Sequence, residues 1–255
     1  MQYSKAFTDA LQFMWGEGFL SPGGPEEVAR MLEGMDLAGL RVLDIGSGLG
    51  GVDALLVARH GAGAVVGIDV EAPLIEQAKA LIAARGLSDR VSFSLVDPGS
   101  LPFADCSFDM VFSKDAMVHI ADKETLYRDV WRVLKHGGWF VAADWLWAKG
   151  AATSPVVRDW LAGGPLTFAF TTPEEANEDL VGAGFIQISI VDRRQSLRLA
   201  NAVEVESLES KSFERLARIV GDAMARQRLH SARGRQAALE TGDLIPSHLR
   251  ARKPA

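Results

Sequence analysis

The chain has 255 residues but only one cysteine, Cys106, so no disulfide can form within it, and the composition fits a reducing, cytoplasmic setting. It has no apolar run long enough to span a bilayer and no signal-peptide pattern at its start, so neither a membrane nor a secretory role is expected. It has no excess of positive charge: the formal net charge is −6, which argues against nucleic acid as the main partner. It also lacks a His/Cys cluster with metal-ligand spacing, so no metal is expected. No internal repeat or low-complexity segment stands out. What remains is a hydrophobic fraction of 48% and a length sufficient for one large α/β domain with a substantial core.

The most informative stretch is Arg41-Val42-Leu43-Asp44-Ile45-Gly46-Ser47-Gly48-Leu49-Gly50-Gly51. An apolar run ends in an acid, then a glycine-rich turn, then the pattern of a helix. Glycine lets a ligand approach the backbone, and the first N–H groups of the helix point back at the turn. Gly46, Gly48 and Gly51 fit G-x-G-x-x-G, a dinucleotide pattern that is weak alone. Asp44 with Gly50 gives D-x-G-x-G-x-G, which resembles the first motif of S-adenosylmethionine (SAM)-dependent methyltransferases. A pyrophosphate wants no adjacent carboxylate, whereas SAM carries a positive sulfonium and a positive amino group. A merely tight structural turn is the third reading.

Along the chain, helical spacing marks residues 1–20, with a break at Ser21-Pro22-Gly23-Gly24 and a second helix over 25–36. Strands are expected at Val42–Ile45, Ala64–Ile68, Val91–Leu95, Phe108–Phe112 and Trp139–Ala143, with helices over 50–60, 72–85 and 122–134 between them. This alternation predicts an α/β fold, a doubly wound, mostly parallel sheet with helices on both faces. Residues 145–171, rich in aromatics, Gly and Pro, read as a lid insertion. Thr172-Pro173-Glu174-Glu175 starts a helix, Phe185–Val191 is a strand, 202–238 is helical and increasingly basic, and Leu244–Arg252 returns as a last strand. The expected organisation is one domain over 1–255: an N-terminal helical lid (1–36), a cofactor-binding core (37–144), and a substrate lid with late strands and C-terminal helices (145–255).

Ligands of open parallel sheets sit outside the carboxyl ends of the strands. Asp44, Asp69, Asp97 and Asp144 fall at or just past such ends. Asp69 lies about twenty residues past the glycine turn, where an acid can take both ribose hydroxyls, and Asp97 is placed to meet an adenine amino group. After the fourth strand comes Ser113-Lys114-Asp115-Ala116-Met117-Val118-His119. If this is helical, Asp115 and His119 share a face as i and i+4, a carboxylate orienting a base.

Together these segments resemble the SAM-dependent N-methyltransferases of the phosphoethanolamine and sarcosine/dimethylglycine type. The resemblance is carried by Val42 to Gly51, by Gly67-Ile68-Asp69, by Ser113-Lys114-Asp115-Ala116 with His119, by Tyr3, Gly16-Glu17, Ser21 and Gly23-Gly24, and by Leu249 to Lys253. It implies the class I methyltransferase fold, Rossmann-like with helical lid insertions, with SAM as cofactor and S-adenosyl-L-homocysteine as product. It also implies roles. Asp44, Gly46, Ser47 and Gly48 meet the methionine end; Gln2 and Ser21 close over it; Asp69 and Val70 hold the ribose. Asp97 and Pro98 meet the adenine, Lys114 contributes through its backbone, and Tyr3 with His119 forms a catalytic dyad beside Asp115.

The departures concern the acceptor. The family's phosphate-binding tyrosines and arginine are replaced here by Trp145, Leu166 and Phe168, none of which can pair with phosphate. Trp145, Trp147, Trp160, Phe168 and Phe170 can instead offer aromatic faces to a methylated ammonium, and Arg233 or Arg235 can take a carboxylate. The expectation is methyl transfer to nitrogen of a small amine or amino acid such as sarcosine or dimethylglycine. The alternatives are a phosphoethanolamine acceptor, O-methylation of a small natural product, a non-catalytic SAM-fold binding protein and a nicotinamide oxidoreductase. Oligomeric state is left open.

Overall fold

The structure is a computed structural model that describes residues 3–164 and 166–255. The N-terminal segment forms α1 (Lys5–Trp15) and α2 (Gly24–Met31). The alternating core follows as β1 (Arg41–Ile45), α3 (Gly51–Ala58), β2 (Ala64–Asp69), α4 (Ala72–Ala84), β3 (Val91–Leu95), β4 (Phe108–Lys114), α5 (Lys123–Val133) and β5 (Leu134–Trp147). The remainder is α6 (Pro155–Ala162), α7 (Pro173–Gly182), β6 (Ile186–Asp192), α8 (Arg194–Glu209), α9 (Phe213–Val220), α10 (Asp222–Thr241) and β7 (Leu244–Arg252). The strands make one seven-stranded sheet in the order β3-β2-β1-β4-β5-β7-β6. β1 to β5 are mutually parallel, and β7 runs antiparallel between β5 and β6.

Alternation along each strand explains the two-faced core. Leu43, Val111, Phe140 and Leu249 point to the side covered by α5 and α7, where they meet Tyr127, Val130 and Leu180. Val42, Met110, Phe112 and Val141 point the other way, onto Val28, Met31, Leu56 and Ile82. With both faces covered, the central strands read as continuous apolar runs. The reversal of strand order between β1 and β4 opens the crevice in which doubly wound sheets take their ligands.

Several boundaries differ from expectation. The first helix stops at Trp15, where Gly16 at φ +101° ends it. β5 continues past Ala143 to Trp147 because β7 pairs with it along its whole outer edge, Trp139 to Trp147. Asp144 therefore lies inside a strand rather than at its tip. The expected lid begins only beyond that strand, with a 3₁₀ turn over Ala151–Thr153 and then α6. The basic stretch expected as one helix over 202–238 is three helices, broken at Ser210–Ser212 and at Gly221 (φ +86°). Thr172 caps α7 as read from sequence: its hydroxyl accepts from the Glu175 N–H at 3.1 Å, and the Glu175 carboxylate accepts from the Thr172 N–H at 2.8 Å. Among the described residues no helix is long and apolar enough to cross a membrane.

Leu249 is fully buried on β7, the strand that joins β6 to the parallel core. Leu249→Ala is expected to lower the free energy of unfolding by roughly 2–5 kcal/mol, read as the shift of the urea midpoint. A shift no larger than that of a surface substitution would mean that β7 is not part of the cooperative core.

Candidate active site

The glycine turn leaves β1 at Ile45 with Gly46, Gly48 and Gly50 all at positive φ (+77°, +54° and +80°). Gly46 is required sterically as well, because a Cβ there would overlap the methyl of Ala116. Five of the turn's amides are committed to protein acceptors. Gly46 and Ser47 donate to the Ile68 carbonyl (2.9 and 3.0 Å), Gly50 to Ser47 (3.0 Å) and Gly51 to Gly18 (3.2 Å). Gly48 donates to the Asp69 carboxylate at 3.0 Å. Asp69 thus grips the turn with one oxygen, and its other oxygen accepts from the Glu71 N–H at 3.0 Å.

Carboxylates crowd this place. Asp44 is buried, and its Oδ1 finds no donor among the described residues; the buried Ser47 hydroxyl is likewise unpartnered. Asp53, in the first turn of α3, is fully buried with neither oxygen bonded. Burial raises the proton affinity of both Asp44 and Asp53; Asp44 raises that of Asp53 further, whereas Asp53 lowers that of Asp44, so Asp53 is the neutral member of the pair. Gly67 makes room for it, since a Cβ on that residue would lie 2.6 Å from Asp53 Oδ1. Asp53 was not singled out from sequence. Its signal there was an acid inside the apolar run Val52 to Val57 immediately after the glycine turn.

Val70, Asp97 and Pro98 are exposed beyond the tips of β2 and β3. Ser21 lies against the end of β4, but Lys114 reaches it by its side chain. The buried ammonium donates to Ser21 Oγ (2.6 Å), the Pro22 carbonyl (2.8 Å) and Asp115 Oδ2 (2.7 Å). The expectation of a backbone role for Lys114 missed this staple of the N-terminal segment onto β4. Gln2 lies outside the described residues.

Asp115 and His119 do not share a helical face. Asp115 sits at φ +57°, a left-handed conformation sparsely used by non-glycine residues, and Met117–His119 is a 3₁₀ turn. The Asp115 carboxylate is bonded to Lys114 instead. His119 is oriented by the lid segment: its Nδ1 lies 2.6 Å from the Thr167 carbonyl. A carbonyl only accepts, so Nδ1 carries the hydrogen and Nε2 of the neutral ring is left as the basic nitrogen. Burial holds the His119 pKa below its ordinary value, so the ring is neutral near pH 7. Tyr3 is half-buried; its phenol is pushed up, first by burial and then by Asp69, Glu71 and Asp115, so it stays protonated. No hydrogen bond joins Tyr3 to His119 among the described residues, so the dyad is not assembled in this conformation.

Phe168 lies 5.2 Å from the His119 ring and stacks on Trp160 (5.7 Å) and Phe170 (5.3 Å). Trp145 packs on Trp160 at 6.4 Å and is buried. Of these rings, Phe168 is the one in contact with His119; the others mainly pack one another. Arg235 is not free to take a carboxylate. It is buried, its Nη2 lies 2.6 Å from Glu204, and its Nε donates to Asn201. Arg233 is spent on Glu209 at the surface. Sequence spacing placed these arginines in the right helix but could not show that α8 supplies their partners.

Asp144 faces α5, fully buried, with neither oxygen hydrogen-bonded and Lys123 Nζ 4.0 Å away. Burial pushes its carboxyl up to about 7 from the ordinary 3.8. Between those values the folded state holds a proton that the unfolded chain has released. The resulting stability is present at acid pH and lost as pH rises through about 7. Unfolding of the ligand-free protein followed from pH 4 to pH 8 is expected to show a loss on the order of a few kcal/mol, and Asp144→Asn is expected to flatten that loss. Parallel curves for the two proteins would contradict it.

Residues 43–142 match a family model described as a methyltransferase domain. The chain is 36% identical over 146 residues to phosphoethanolamine N-methyltransferase 1 of Arabidopsis thaliana, covering 57% of this chain and 29% of that protein. It is 38% identical over 126 residues to methyltransferase GfsG of Streptomyces halstedii, covering 49% of this chain and 45% of the other. The chain thus spans less than half the length of these curated relatives. In fold it superposes, with a TM-score of 0.90 and 24% identity, on a Haemonchus contortus phosphoethanolamine N-methyltransferase 2 in complex with phosphomonomethylethanolamine and S-adenosylhomocysteine. That match covers 100% of this chain and 59% of that one. The chain therefore has the class I SAM-dependent methyltransferase fold and resembles the phosphoethanolamine N-methyltransferases.

Proposed function

We propose that the chain is a SAM-dependent methyltransferase acting on the nitrogen of a small amine or amino acid of the sarcosine or dimethylglycine kind. One observation carries the cofactor assignment. The amides of Gly46, Ser47, Gly48, Gly50 and Gly51 are already bonded within the protein, and Asp44, Asp53 and Asp69 surround the turn. A pyrophosphate would find most of the turn's donors already taken and a negative field. A ligand bearing a sulfonium and an ammonium finds compensating charge, and the orphaned Asp44 Oδ1 and Ser47 hydroxyl find partners. This counts against the nicotinamide reading.

On this reading Asp44, Gly46, Ser47 and Gly48 hold the methionine end of SAM. Asp69 and Val70 take the ribose, and Asp97 and Pro98 meet the adenine. Gln2 and Ser21 close from the N-terminal side, with Lys114 holding Ser21 in place. When bound, SAM supplies an electrophilic methyl carbon and leaves as S-adenosyl-L-homocysteine. The acceptor must first give up its ammonium proton, and His119 Nε2 is the nitrogen able to receive it, with Tyr3 and Asp115 beside the path. The aromatic lid excludes water and, through Phe168 and Trp145, faces the acceptor; otherwise the protein's contribution is alignment. The N-terminal segment, the core and the late helices serve this one site as one domain. The exposed thiol of Cys106 is consistent with a cytoplasmic location.

A phosphorylated acceptor is disfavoured, because Leu166 and Phe168 offer no charge and Arg235 is taken by Glu204. The stacked lid aromatics favour one second reading, O-methylation of a small natural product. His119→Asn is expected to lower turnover at least about a hundredfold while leaving S-adenosylhomocysteine affinity within about twofold. The acid limb of the wild-type pH–rate profile is expected below the 6.5 of a free imidazole. The check is transfer from labelled SAM to a panel of ethanolamines, phosphobases, glycine derivatives and phenols. Normal turnover of the variant would remove His119 from the chemistry, and transfer to phenols alone would replace nitrogen with oxygen as the acceptor.

A further inference from the structure

The second helix of the N-terminal segment has little of its own to hold it in place. α2 has eight residues and follows Gly23 and Gly24, both at positive φ, so it is too short to be stable alone. Its apolar contacts, through Val28 and Met31, are buried but carry no direction. Direction comes from Glu27, a buried carboxylate bonded on both oxygens. Its Oε1 accepts from His248 Nε2 at 2.7 Å and from Arg193 Nε at 3.4 Å, and its Oε2 accepts from Arg30 at 2.9 Å. A carboxylate only accepts, so Nε2 of His248 carries the hydrogen. Burial alone would raise the Glu27 carboxyl, but the bonds from His248 and Arg30 and the charge of Arg193 outweigh it and hold it down at about 2.

Two of these partners come from the far end of the chain. His248 is on β7, opposite Ala143 of β5. Arg193 joins β6 to α8, and its own amide is anchored on the Pro246 carbonyl at 2.7 Å. Arg250, also on β7, donates to the Met31 carbonyl at 2.8 and 3.1 Å, at the other end of α2. β7 therefore grips α2 at both ends. From Glu27 the constraint reaches the cleft within a few residues. The Glu27 amide donates to the Gly23 carbonyl at 3.1 Å, and a Cβ on Gly23 would lie 2.6 Å from the Glu27 Cβ, so the two residues are in direct contact. The next residues back, Pro22 and Ser21, are the two that Lys114 holds. Pro22, Glu27, Asp115, Trp145, Arg193 and His248 border one narrow crevice, so the clamp and the candidate site share a wall.

We propose, resting on the methyltransferase reading above, that Glu27 is a positioning residue for cofactor retention. Clamped from β7 and from the start of α8, it fixes α2 and, through Gly23 and Pro22, the place of Ser21 over the methionine end of SAM. A segment already ordered before the cofactor arrives does not have to be ordered on binding. The late strands and α8 thereby set how long the core keeps its cofactor without touching it.

The experiment has two arms, run on wild type, Glu27→Gln and the milder Arg193→Gln, whose side chain is partly exposed and makes one long bond to Glu27. In the first, amide hydrogen exchange of α2 is followed in the ligand-free protein. Glu27→Gln is expected to speed it at least about tenfold, and Arg193→Gln to do so less. In the second, S-adenosylhomocysteine affinity and dissociation rate are measured. Glu27→Gln is expected to weaken binding at least about fivefold, mainly through faster dissociation, and Arg193→Gln to act in the same direction. The same substitution is then made in a Ser21→Ala background, where it is expected to change affinity by less than about twofold, because both changes act through one contact. Affinity unchanged in both single variants overturns the proposal. So does a Glu27→Gln effect that is undiminished in the Ser21→Ala background, which is the mark of general destabilisation. Failure of the methyltransferase reading has a separate signature: wild type binds no S-adenosylhomocysteine, while exchange at α2 still reports whether Glu27 holds the helix.

Discussion

The bond from the Gly48 amide to the Asp69 carboxylate joins the glycine turn to the end of β2, and the character of the cleft follows from it. It removes from the turn the donor best placed to meet a phosphate and puts a negative charge there instead. The Ile68 carbonyl takes two further amides of the turn. A generic strand–turn–helix is converted in this way from an anion nest into a cradle for a cation. Asp44 and Asp53 deepen the effect from below, and their burial is tolerable because they hold a proton between them.

Over this floor the N-terminal segment and the turn bearing His119 are held by buried ammonium groups as well as by apolar packing. Lys114 staples the N-terminal segment through Ser21 and Pro22. On the other side Lys123, buried at the start of α5, donates to the carbonyls of Met117, Ile120 (2.8 Å) and Ala169 (3.2 Å). The Ala169 amide returns a bond to the Val118 carbonyl at 2.6 Å. The turn bearing His119 and the lid segment bearing Phe168 are therefore one assembly, and the tautomer of His119 is set by the lid that covers it. Under the proposed function, that coupling would let one segment exclude water and orient the base.

The parallel core was legible because its periodicities are local. Apolar strands, glycine punctuation and the capping box at Thr172 each state their structure within a few residues, and the expected strands all form. The misses occur where a partner distant in sequence decides. β5 is longer than its apolar run because β7 lies along it. Asp115 leaves the helical pattern where Lys114, to which its carboxylate is bonded, is held by Ser21 and Pro22. Arg235, expected at a ligand, is claimed by Glu204. Asp53 escaped notice because a charged residue in a helix reads as solvated until the fold shows both faces covered. The glycine turn itself left two nucleotide readings open, and the amides already bonded there favour the same one as the family match.

The central claim is that the cleft takes a sulfonium nucleoside and not a pyrophosphate, and titration calorimetry tests it most directly. Wild type and Gly46→Ala, whose added methyl would displace Ala116, are each titrated with S-adenosylhomocysteine and with NAD at neutral pH. The account predicts one site for S-adenosylhomocysteine in wild type, loss of that heat in the folded variant, and no heat with NAD in either. Binding of NAD but not S-adenosylhomocysteine, or S-adenosylhomocysteine binding indifferent to Gly46→Ala, would contradict it.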